Sequence, residues 1–294
     1  MMARRIVASD FNEENPECRQ RGDPLRRTRG FGYSSILHRL YMEHHAVTIE
    51  SQADIEGLQR IGSIVSLVLG EMLKAAEPGM TTRELDAIGD RLLASCGARS
   101  APRMTYDFPG ATCISVNEEA AHGIPGDRVL APGDVLNVDV SAELEGYFAD
   151  TGGTTVLPPA SAQKKLLCHA ARTALTNALQ VARAGQPMNG IGAAIQRTAK
   201  RFGFKVIENL GSHGVGRALH EEPQHIAGYF DPSDTRMLKE GMVITIEPFM
   251  STKSRVVSDA GDGWTLVGAK GNLSAQFEHT MIITRGEPIV VTTH

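Results

Sequence analysis

Apolar residues at helical spacing predict a long helix that begins near residue 50. Between Ile55 and Met72 the apolar positions recur every three or four residues, which is the spacing of one buried helix face. Ser51 lies just before this run, and Asp54 follows Ser51 by three residues, so the pair has the spacing of a capping box. The Pro78-Gly79 pair ends the pattern.

A second helix and two strands are predicted beyond the first helix. Thr81 and Glu84 have the spacing of another capping box, and apolar positions at helical spacing continue from there to a closing glycine, Gly97. The segment Thr112–Val116 has the composition of a strand. Residues Val135–Ser141 alternate between apolar and polar side chains, which is typical of a strand with one buried face.

The chain contains an internal repeat. Residues 132–139 match residues 240–247 at an offset of 108, and segment 79–97 recurs at an offset of 106. Because a helix, its closing glycine and an acid-bearing strand recur in the same order, we interpret the two halves as a duplication. In this arrangement Asp139 and Glu247 are pseudo-symmetric partners that face one central cleft.

Composition and charge narrow the class of protein. The chain has 294 residues, of which 41% are hydrophobic and 22% charged, as in soluble globular proteins. A formal net charge of −4 argues against a nucleic-acid-binding protein, which normally carries a basic surface. No apolar run approaches the length of a membrane span, and the cysteines form no C-x-x-C pair of the kind found in zinc fingers. We therefore expect a cytoplasmic protein with no membrane partner and no specific nucleic-acid partner.

The N-terminal segment differs from the rest of the chain. Residues 1–41 hold eight arginines, no lysine and five acidic residues, without periodicity. They contain no apolar segment of a secretory signal, and the acidic residues contradict an organellar transit peptide. We predict that residues 1–45 are an N-terminal extension, either disordered or upstream of the true start, and that residues 46–294 form the main domain.

Two aspartates are predicted to face each other across a hairpin. Asp139 and Asp150 lie on strand-like segments that flank the turn-like sequence Glu143–Gly146. A turn centred between Leu144 and Glu145 would place Asp139 directly opposite Asp150, with Cβ atoms roughly 5 Å apart. Two carboxylates at that distance repel each other, so a shared proton, a nearby cation or metal ions must compensate. If the pair were exposed to solvent, it would be an ordinary polar strand face.

Three further polar residues lie within apolar or glycine-rich segments. His213 lies in the turn-like sequence Gly211–Gly216, Glu247 ends an apolar strand, and Glu278 lies inside another. An unpaired charge in such a strand is costly, and these segments contain no lysine or arginine. With the two aspartates, these residues give four carboxylates and one imidazole. This set resembles the ligands of two divalent cations bridged by one or two carboxylates.

Together the motifs resemble those of one family, the type I methionine aminopeptidases of the pita-bread metallohydrolases. The resemblance covers Thr48 to Thr292. It rests on the following motifs: Ser-Val-Asn-Glu…His122-Gly-Ile-Pro, Asn-Val-Asp139-Val, Phe-Ala-Asp150-Thr, Gly-Ser-His213-Gly-Val-Gly…His220-Glu-Glu-Pro, Thr-Ile-Glu247-Pro and Ser-Ala-Gln-Phe-Glu278-His-Thr. It implies an α+β pita-bread fold, a pseudo-twofold repeat with a curved antiparallel sheet backed by helices.

The resemblance also implies the metal ligands. Asp139, Asp150, His213, Glu247 and Glu278 would hold two divalent ions per chain. Asp150 and Glu278 would bridge the ions, Asp139 would complete the shell of one, and His213 with Glu247 that of the other. An oxygen-rich shell with one imidazole tolerates Fe²⁺, Mn²⁺, Co²⁺ or Zn²⁺.

The reaction implied is removal of the initiator methionine from nascent polypeptides with a small second residue. A hydroxide activated by the two metal ions would attack the first peptide bond, since two cations lower the pKa of bound water. Glu247 would act as general base and then acid. His220 would hydrogen-bond the scissile carbonyl, and His122 would contact the substrate near its scissile amide nitrogen or N-terminal amine. The enzyme would be a monomer in transient contact with the ribosome.

Four residues match positions that line the methionine pocket in this family. Phe108, Cys113, Leu219 and Trp264 are all apolar or soft enough to contact a thioether. Two positions depart from the family pattern. Tyr106 lies one residue closer to Phe108 than the corresponding aromatic residue in many members, and Leu219 occupies a place that is often aromatic.

Three alternative functions share parts of this pattern. X-Pro aminopeptidases and prolidases share the metal site but usually carry an additional N-terminal domain, which 41 unpatterned residues cannot supply. Type II methionine aminopeptidases carry an insertion of several tens of residues, whereas only 26 residues separate His220 from Glu247 here. A non-catalytic binding protein on this fold would lose metal ligands, whereas this sequence retains all five and both histidines.

Overall fold

The computed structural model describes residues 49–293, and the predicted N-terminal extension, residues 1–45, lies outside this range. The helices of the described part are α1 (Gln52–Ala75), α2 (Thr82–Ser95), α3 (Ala101–Tyr106), α4 (Ala162–Val181) and α5 (Asn189–Phe202). Its strands are β1 (Arg99–Ser100), β2 (Cys113–Val116), β3 (Glu119–Ala121), β4 (Val135–Leu144), β5 (Tyr147–Val156), β6 (Lys205–Val206), β7 (Gly211–Gly214), β8 (Glu221–Ala227), β9 (Val243–Ile246), β10 (Phe249–Ser251), β11 (Ser258–Asp259), β12 (Leu266–Val267), β13 (Ser274–Gln276), β14 (His279–Ile282) and β15 (Ile289–Val290).

The two predicted capping boxes are present. The Ser51 hydroxyl accepts a hydrogen bond from the backbone N–H of Asp54, whose carboxylate accepts one from the backbone of Ser51, at the start of α1. Thr81 and Glu84 make the same reciprocal contacts at the start of α2. Each cap satisfies backbone donors that the first turn leaves unpaired and contributes about 1 kcal/mol.

The repeat predicted from the sequence is visible in the fold. Gly97 and Gly203 close α2 and α5 with φ angles of 73° and 77°. Gly133 and Gly241 precede β4 and β9 with φ angles of 86° and 83°. These positive φ angles explain why glycine recurs at equivalent places in both halves. β4, which carries Asp139, and β9, which ends one residue before Glu247, are each paired on both sides by other strands.

Antiparallel sheets packed against helices form an α+β architecture. In one sheet β4 lies between β2 and β5 and also pairs with β1, and in another the order is β15-β14-β9-β7-β8. Two smaller sheets have the orders β13-β10-β6 and β11-β12-β3. The helices α1 and α2 cover the β2-β4-β5 region, and α4 and α5 cover strands of the second half.

Each half buries its own hydrophobic core. In the first half, Ile61 and Met72 of α1 and Val138 of β4 are fully buried in one cluster. In the second half, Ala174 of α4 and Ile244 of β9 are fully buried in another. Because each core fixes its own sheet, the strands that meet between the halves, such as β5 and β14, are held by rigid supports.

The register of the β4–β5 hairpin differs from the prediction. Asp150 pairs with Ser141, and Asp139 pairs with Gly152, so the two aspartates are not directly opposite each other. The turn consists of Glu145-Gly146, and both residues have positive φ as a type I′ turn requires. The turn centre therefore lies one residue later than predicted. This moves the pairing by two residues, and both aspartates remain on the same face of the sheet.

Among residues 49–293, no helix is both long enough and apolar enough to span a membrane.

Candidate metal centre

The five residues predicted as metal ligands come together where the two halves meet. One ligand atom from each of Asp150, His213 and Glu278 can be chosen so that all lie within 4.8 Å of one another. The Glu247 Oε1 atom lies 3.5 Å from His213 Nε2. The side chain of Asp139 lies next to that of Asp150, on the same face of the β4–β5 hairpin. The correction to the hairpin register thus leaves the predicted cluster intact.

Two carboxylate oxygens of this cluster are buried without a hydrogen-bond partner among the described residues. They are Asp150 Oδ1 and Glu278 Oε1. The other oxygen of Glu278 accepts a hydrogen bond of 2.9 Å from Gln276 Nε2. Buried polar atoms in folded proteins are nearly always satisfied, so two bare anionic oxygens in one cluster fit a bound cation.

The ring of His213 presents an unprotonated nitrogen to the cluster. Its Nδ1 atom lies 2.9 Å from the carbonyl oxygen of Gly214, which can only accept a hydrogen bond. Nδ1 therefore carries the proton, and Nε2 has a free lone pair. Burial, followed by the proximity of His220, lowers the pKa of His213 to about 3 and keeps the ring neutral. A histidine that donates its one ring N–H to a carbonyl and leaves its other nitrogen unprotonated is typical of metal sites.

Within residues 49–293, the carboxyl groups of the cluster are not neutralised by lysine or arginine. No lysine or arginine takes part in an ion pair with Asp139, Asp150, Glu247 or Glu278 within residues 49–293. Burial raises the pKa of all four carboxyl groups, that of Asp150 to about 6. The nearby charge of Asp150 raises the other three further. Two carboxyl groups as close as those of Asp139 and Asp150 favour a proton shared between them, and a divalent cation would replace that proton.

Sequence reasoning missed Gln276, which orients one of the carboxylates. Its amide oxygen accepts a hydrogen bond of 2.8 Å from Asn137 Nδ2, and its amide nitrogen donates to Glu278. A Cβ atom at Gly152 would lie 2.3 Å from the same amide oxygen, so a side chain there would displace the Gln276 amide. The positions of both residues in the sequence could have indicated this role. Asn137 and Gln276 each lie two residues before a predicted ligand and thus on the same strand face as that ligand.

Thr245 was also missed, and it supports Glu247 in the same manner. Its hydroxyl donates to Glu247 Oε1 over 3.2 Å and accepts from the backbone N–H of His213 over 3.2 Å. The backbone N–H of Glu247 donates to the hydroxyl of Ser212 over 3.0 Å. These bonds tie β7 to β9 and fix the relative positions of His213 and Glu247.

A cavity of about 400 Å³ adjoins the cluster and is lined by both predicted catalytic histidines, His122 and His220. The ring centroids of His213 and His220 are 4.0 Å apart. Burial, followed by the proximity of His122, lowers the pKa of His220 to about 4, and burial lowers the pKa of His122. His122 has a φ angle of 56°, a left-handed conformation that is uncommon for residues other than glycine.

The four predicted pocket residues line the same cavity. They are Phe108, Cys113, Leu219 and Trp264. Phe108 and Trp264 make an edge-to-face contact with ring centroids 5.1 Å apart. Cys113 pairs with Asp139 across β2 and β4, and its thiol is free. The cavity therefore joins an apolar surface to the carboxylate cluster. Glu278, which is 2% exposed, is not part of the cavity lining.

Comparison with known proteins agrees with this geometry. The family model described as metallopeptidase family M24 matches residues 56–285. Methionine aminopeptidase 2 of Bacillus subtilis (strain 168) is 48% identical over 245 residues, which cover 83% of this chain and 98% of that protein. Methionine aminopeptidase 1 of the same strain is 40% identical over 227 residues, covering 77% of this chain and 91% of that protein.

Solved structures show the same similarity. The crystal structure of the methionine aminopeptidase from Thermotoga maritima has a TM-score of 0.81 and 32% identity, and it covers 84% of this chain and 100% of that chain. The prolidase from Pyrococcus furiosus has a TM-score of 0.69 at 22% identity, covering 87% of this chain and 68% of that one, which shows a common fold alone. The chain belongs to metallopeptidase family M24, with its pita-bread fold, and within that family to the methionine aminopeptidases.

Proposed function

We propose that the protein removes the N-terminal methionine from polypeptides with a small second residue, by metal-dependent hydrolysis of the first peptide bond. The observation that carries this proposal is the cluster of Asp150, His213 and Glu278, with two bare buried oxygens, beside a cavity that has an apolar wall. The names of the relatives support the same reaction. The preference for a small second residue rests on the resemblance to the family.

Two divalent ions per chain are proposed, held by the five residues Asp139, Asp150, His213, Glu247 and Glu278. Four carboxylates match the charge of two divalent cations, and a single imidazole with oxygen ligands suits Fe²⁺, Mn²⁺, Co²⁺ or Zn²⁺. Asp150 and Glu278, one from each half of the fold, would contribute the two bare buried oxygens of this set. When bound, the cations would supply Lewis-acid activation of a water molecule and of the scissile carbonyl.

The chain's own residues would move the protons. Glu247, whose Oε1 atom is held by the Thr245 hydroxyl, is proposed to accept a proton from the attacking water and to return it to the leaving amine. His220 would donate a hydrogen bond to the scissile carbonyl oxygen as negative charge develops there. His122 would contact the substrate near its first amide nitrogen or its N-terminal amine.

The apolar wall of the cavity is proposed to bind the methionine side chain. Phe108 and Trp264 present aromatic surface, and a thioether makes favourable contacts with aromatic rings. Leu219 and Cys113 complete the lining. An unbranched side chain can enter between these groups, and a charged side chain would lose its hydration there without compensation.

The domain boundaries, the cellular location and the partners are also proposed, on the basis of the resemblance to the family. Residues 46–294 would form the catalytic domain, with residues 1–45 as an extension. The substrates would be the N-termini of nascent chains, met in transient contact with the ribosome by a cytoplasmic monomer.

A peptide assay tests the proposed function. The protein should release free methionine from Met-Ala-Ser and nothing from an X-Pro peptide, because the pocket is proposed to select the first side chain. The substitution His213→Ala should abolish turnover, whereas His169→Ala, at an exposed position on α4, should leave it unchanged. Cleavage of the X-Pro peptide instead would favour a prolidase-like activity, and unchanged turnover in His213→Ala would refute the proposed centre.

A further inference from the structure

Tyr106 makes a direct contact with His220 at the rim of the cavity. Its hydroxyl lies 2.7 Å from His220 Nδ1, and the two ring centroids are 5.6 Å apart. Tyr106 is the last residue of α3, and the next residue, Asp107, has a left-handed φ angle of 57°. The helix end thus directs the tyrosine ring towards the histidine. This is also a position where the sequence departs from the family pattern.

The chemistry of the two groups sets the direction of this hydrogen bond. A phenol hydroxyl is a good donor and a poor acceptor, because its oxygen lone pairs are delocalised into the ring. The unprotonated nitrogen of a neutral imidazole is a strong acceptor. The stronger of the two possible pairings is therefore the one in which the Tyr106 hydroxyl donates to Nδ1. The proton of a neutral His220 then lies on Nε2.

We infer that Tyr106 is a positioning residue that holds His220 with Nε2–H free to donate to the scissile carbonyl oxygen of the substrate. This inference rests on the proposed function, in which His220 stabilises the oxyanion. No hydrogen bond to Nε2 occurs within residues 49–293, whereas Nδ1 is engaged by the tyrosine. The tyrosine would fix both the tautomer and the rotation of the ring.

The hydrogen bond from Tyr106 also makes the Nε2–H group of His220 a stronger hydrogen-bond donor. When Nδ1 accepts a hydrogen bond from the phenol, electron density is drawn from the imidazole, and the Nε2–H group becomes a better hydrogen-bond donor. This gain is largest when the carbonyl oxygen carries negative charge, so it acts on the transition state more than on substrate binding. Loss of the hydroxyl should therefore lower kcat and leave KM almost unchanged.

The substitution Tyr106→Phe tests this role, because it removes the hydroxyl and keeps the ring. We expect kcat on Met-Ala-Ser to fall about tenfold, with KM within about twofold of its original value. The loss should be smaller than the roughly 10²–10³-fold loss typical of deleting an oxyanion donor, because Nε2–H remains. The matched control is Tyr229→Phe, which removes a hydroxyl from a residue outside the cavity lining and should leave both constants unchanged.

Ring ¹⁵N NMR of histidine-labelled, Zn²⁺-loaded protein gives a readout that is independent of turnover. In the original chain His220 should show an unprotonated Nδ1 and a protonated Nε2, and in Tyr106→Phe the Nδ1 resonance should shift as the hydrogen bond is lost. A protonated Nδ1 in the original chain, an unshifted resonance in the variant, or an unchanged kcat would each overturn the inference. Absence of methionine release by the original chain would instead refute the proposed function, and the tautomer measurement would still stand.

Discussion

At the scale of single residues, hydrogen bonds to one atom of a side chain leave its other atom available to a cation. The Gly214 carbonyl engages Nδ1 of His213 and leaves Nε2 free. The Gln276 amide engages one oxygen of Glu278 and leaves the other bare. Residues that orient ligands in this way commonly contribute 10- to 100-fold in metal affinity.

Gln276 offers a test of this principle. The substitution Gln276→Leu keeps a similar volume but removes the bond to Glu278 and leaves the amide of Asn137 with one partner fewer. We expect the dissociation constant for Mn²⁺, measured by isothermal titration calorimetry, to rise about 10- to 100-fold. Gln196→Leu, at an exposed position on α5, is the matched control and should not change it. Equal affinities of the two variants would show that Gln276 has no orienting role.

At the scale of secondary-structure elements, contacts between residues close in the sequence could be predicted, and contacts between distant residues could not. The caps of α1 and α2 depend on residues three positions apart, and both were predicted correctly. The hairpin register was predicted wrongly, because it depends on which residues of the turn adopt positive φ. The Asn137–Gln276 contact joins residues 139 positions apart, and uncharged polar side chains on a strand give no signal of their partners. Acidic residues in apolar strands do give such a signal, which is why four carboxylates were predicted to share a cation site.

The turn between β4 and β5 sets the relative positions of the two aspartates and can be tested directly. Gly146 has a φ angle of 85°, which a Cβ atom disfavours. We expect Gly146→Ala to lower the free energy of unfolding by about 1–2 kcal/mol, measured by urea denaturation. Gly146→Asn should recover most of this loss, because asparagine tolerates the left-handed region. Equal stabilities of the alanine variant and the original chain would contradict the type I′ turn.

At the scale of the whole molecule, the candidate centre joins the two halves of the fold. The first half supplies Asp139 and Asp150, and the second supplies His213, Glu247 and Glu278. Hydrogen bonds already cross this boundary, since the backbone N–H of Asp150 donates to the Thr280 hydroxyl over 2.9 Å. A cation that binds residues of both halves in the folded state alone should therefore stabilise the whole domain.

Metal affinity should depend on pH through the carboxyl groups. Protons compete with the cation for the carboxylates, and the pKa of Asp150 is raised by burial to about 6. Below that pH, binding must displace at least this proton, so the affinity for Mn²⁺ should fall by about tenfold or more for each pH unit. His213, with a pKa lowered to about 3, adds no further proton in this range. Calorimetric titrations between about pH 5 and 7 measure the slope, and an affinity independent of pH would contradict the ligand set.

We propose that side chains from both halves of the fold hold a pair of divalent cations. This proposal is tested most directly by anomalous diffraction from crystals of the Mn²⁺-loaded protein, with data collected on both sides of the manganese absorption edge. We expect two anomalous peaks per chain, both among Asp139, Asp150, His213, Glu247 and Glu278. No peak in this cluster, or peaks only elsewhere on the chain, would contradict it.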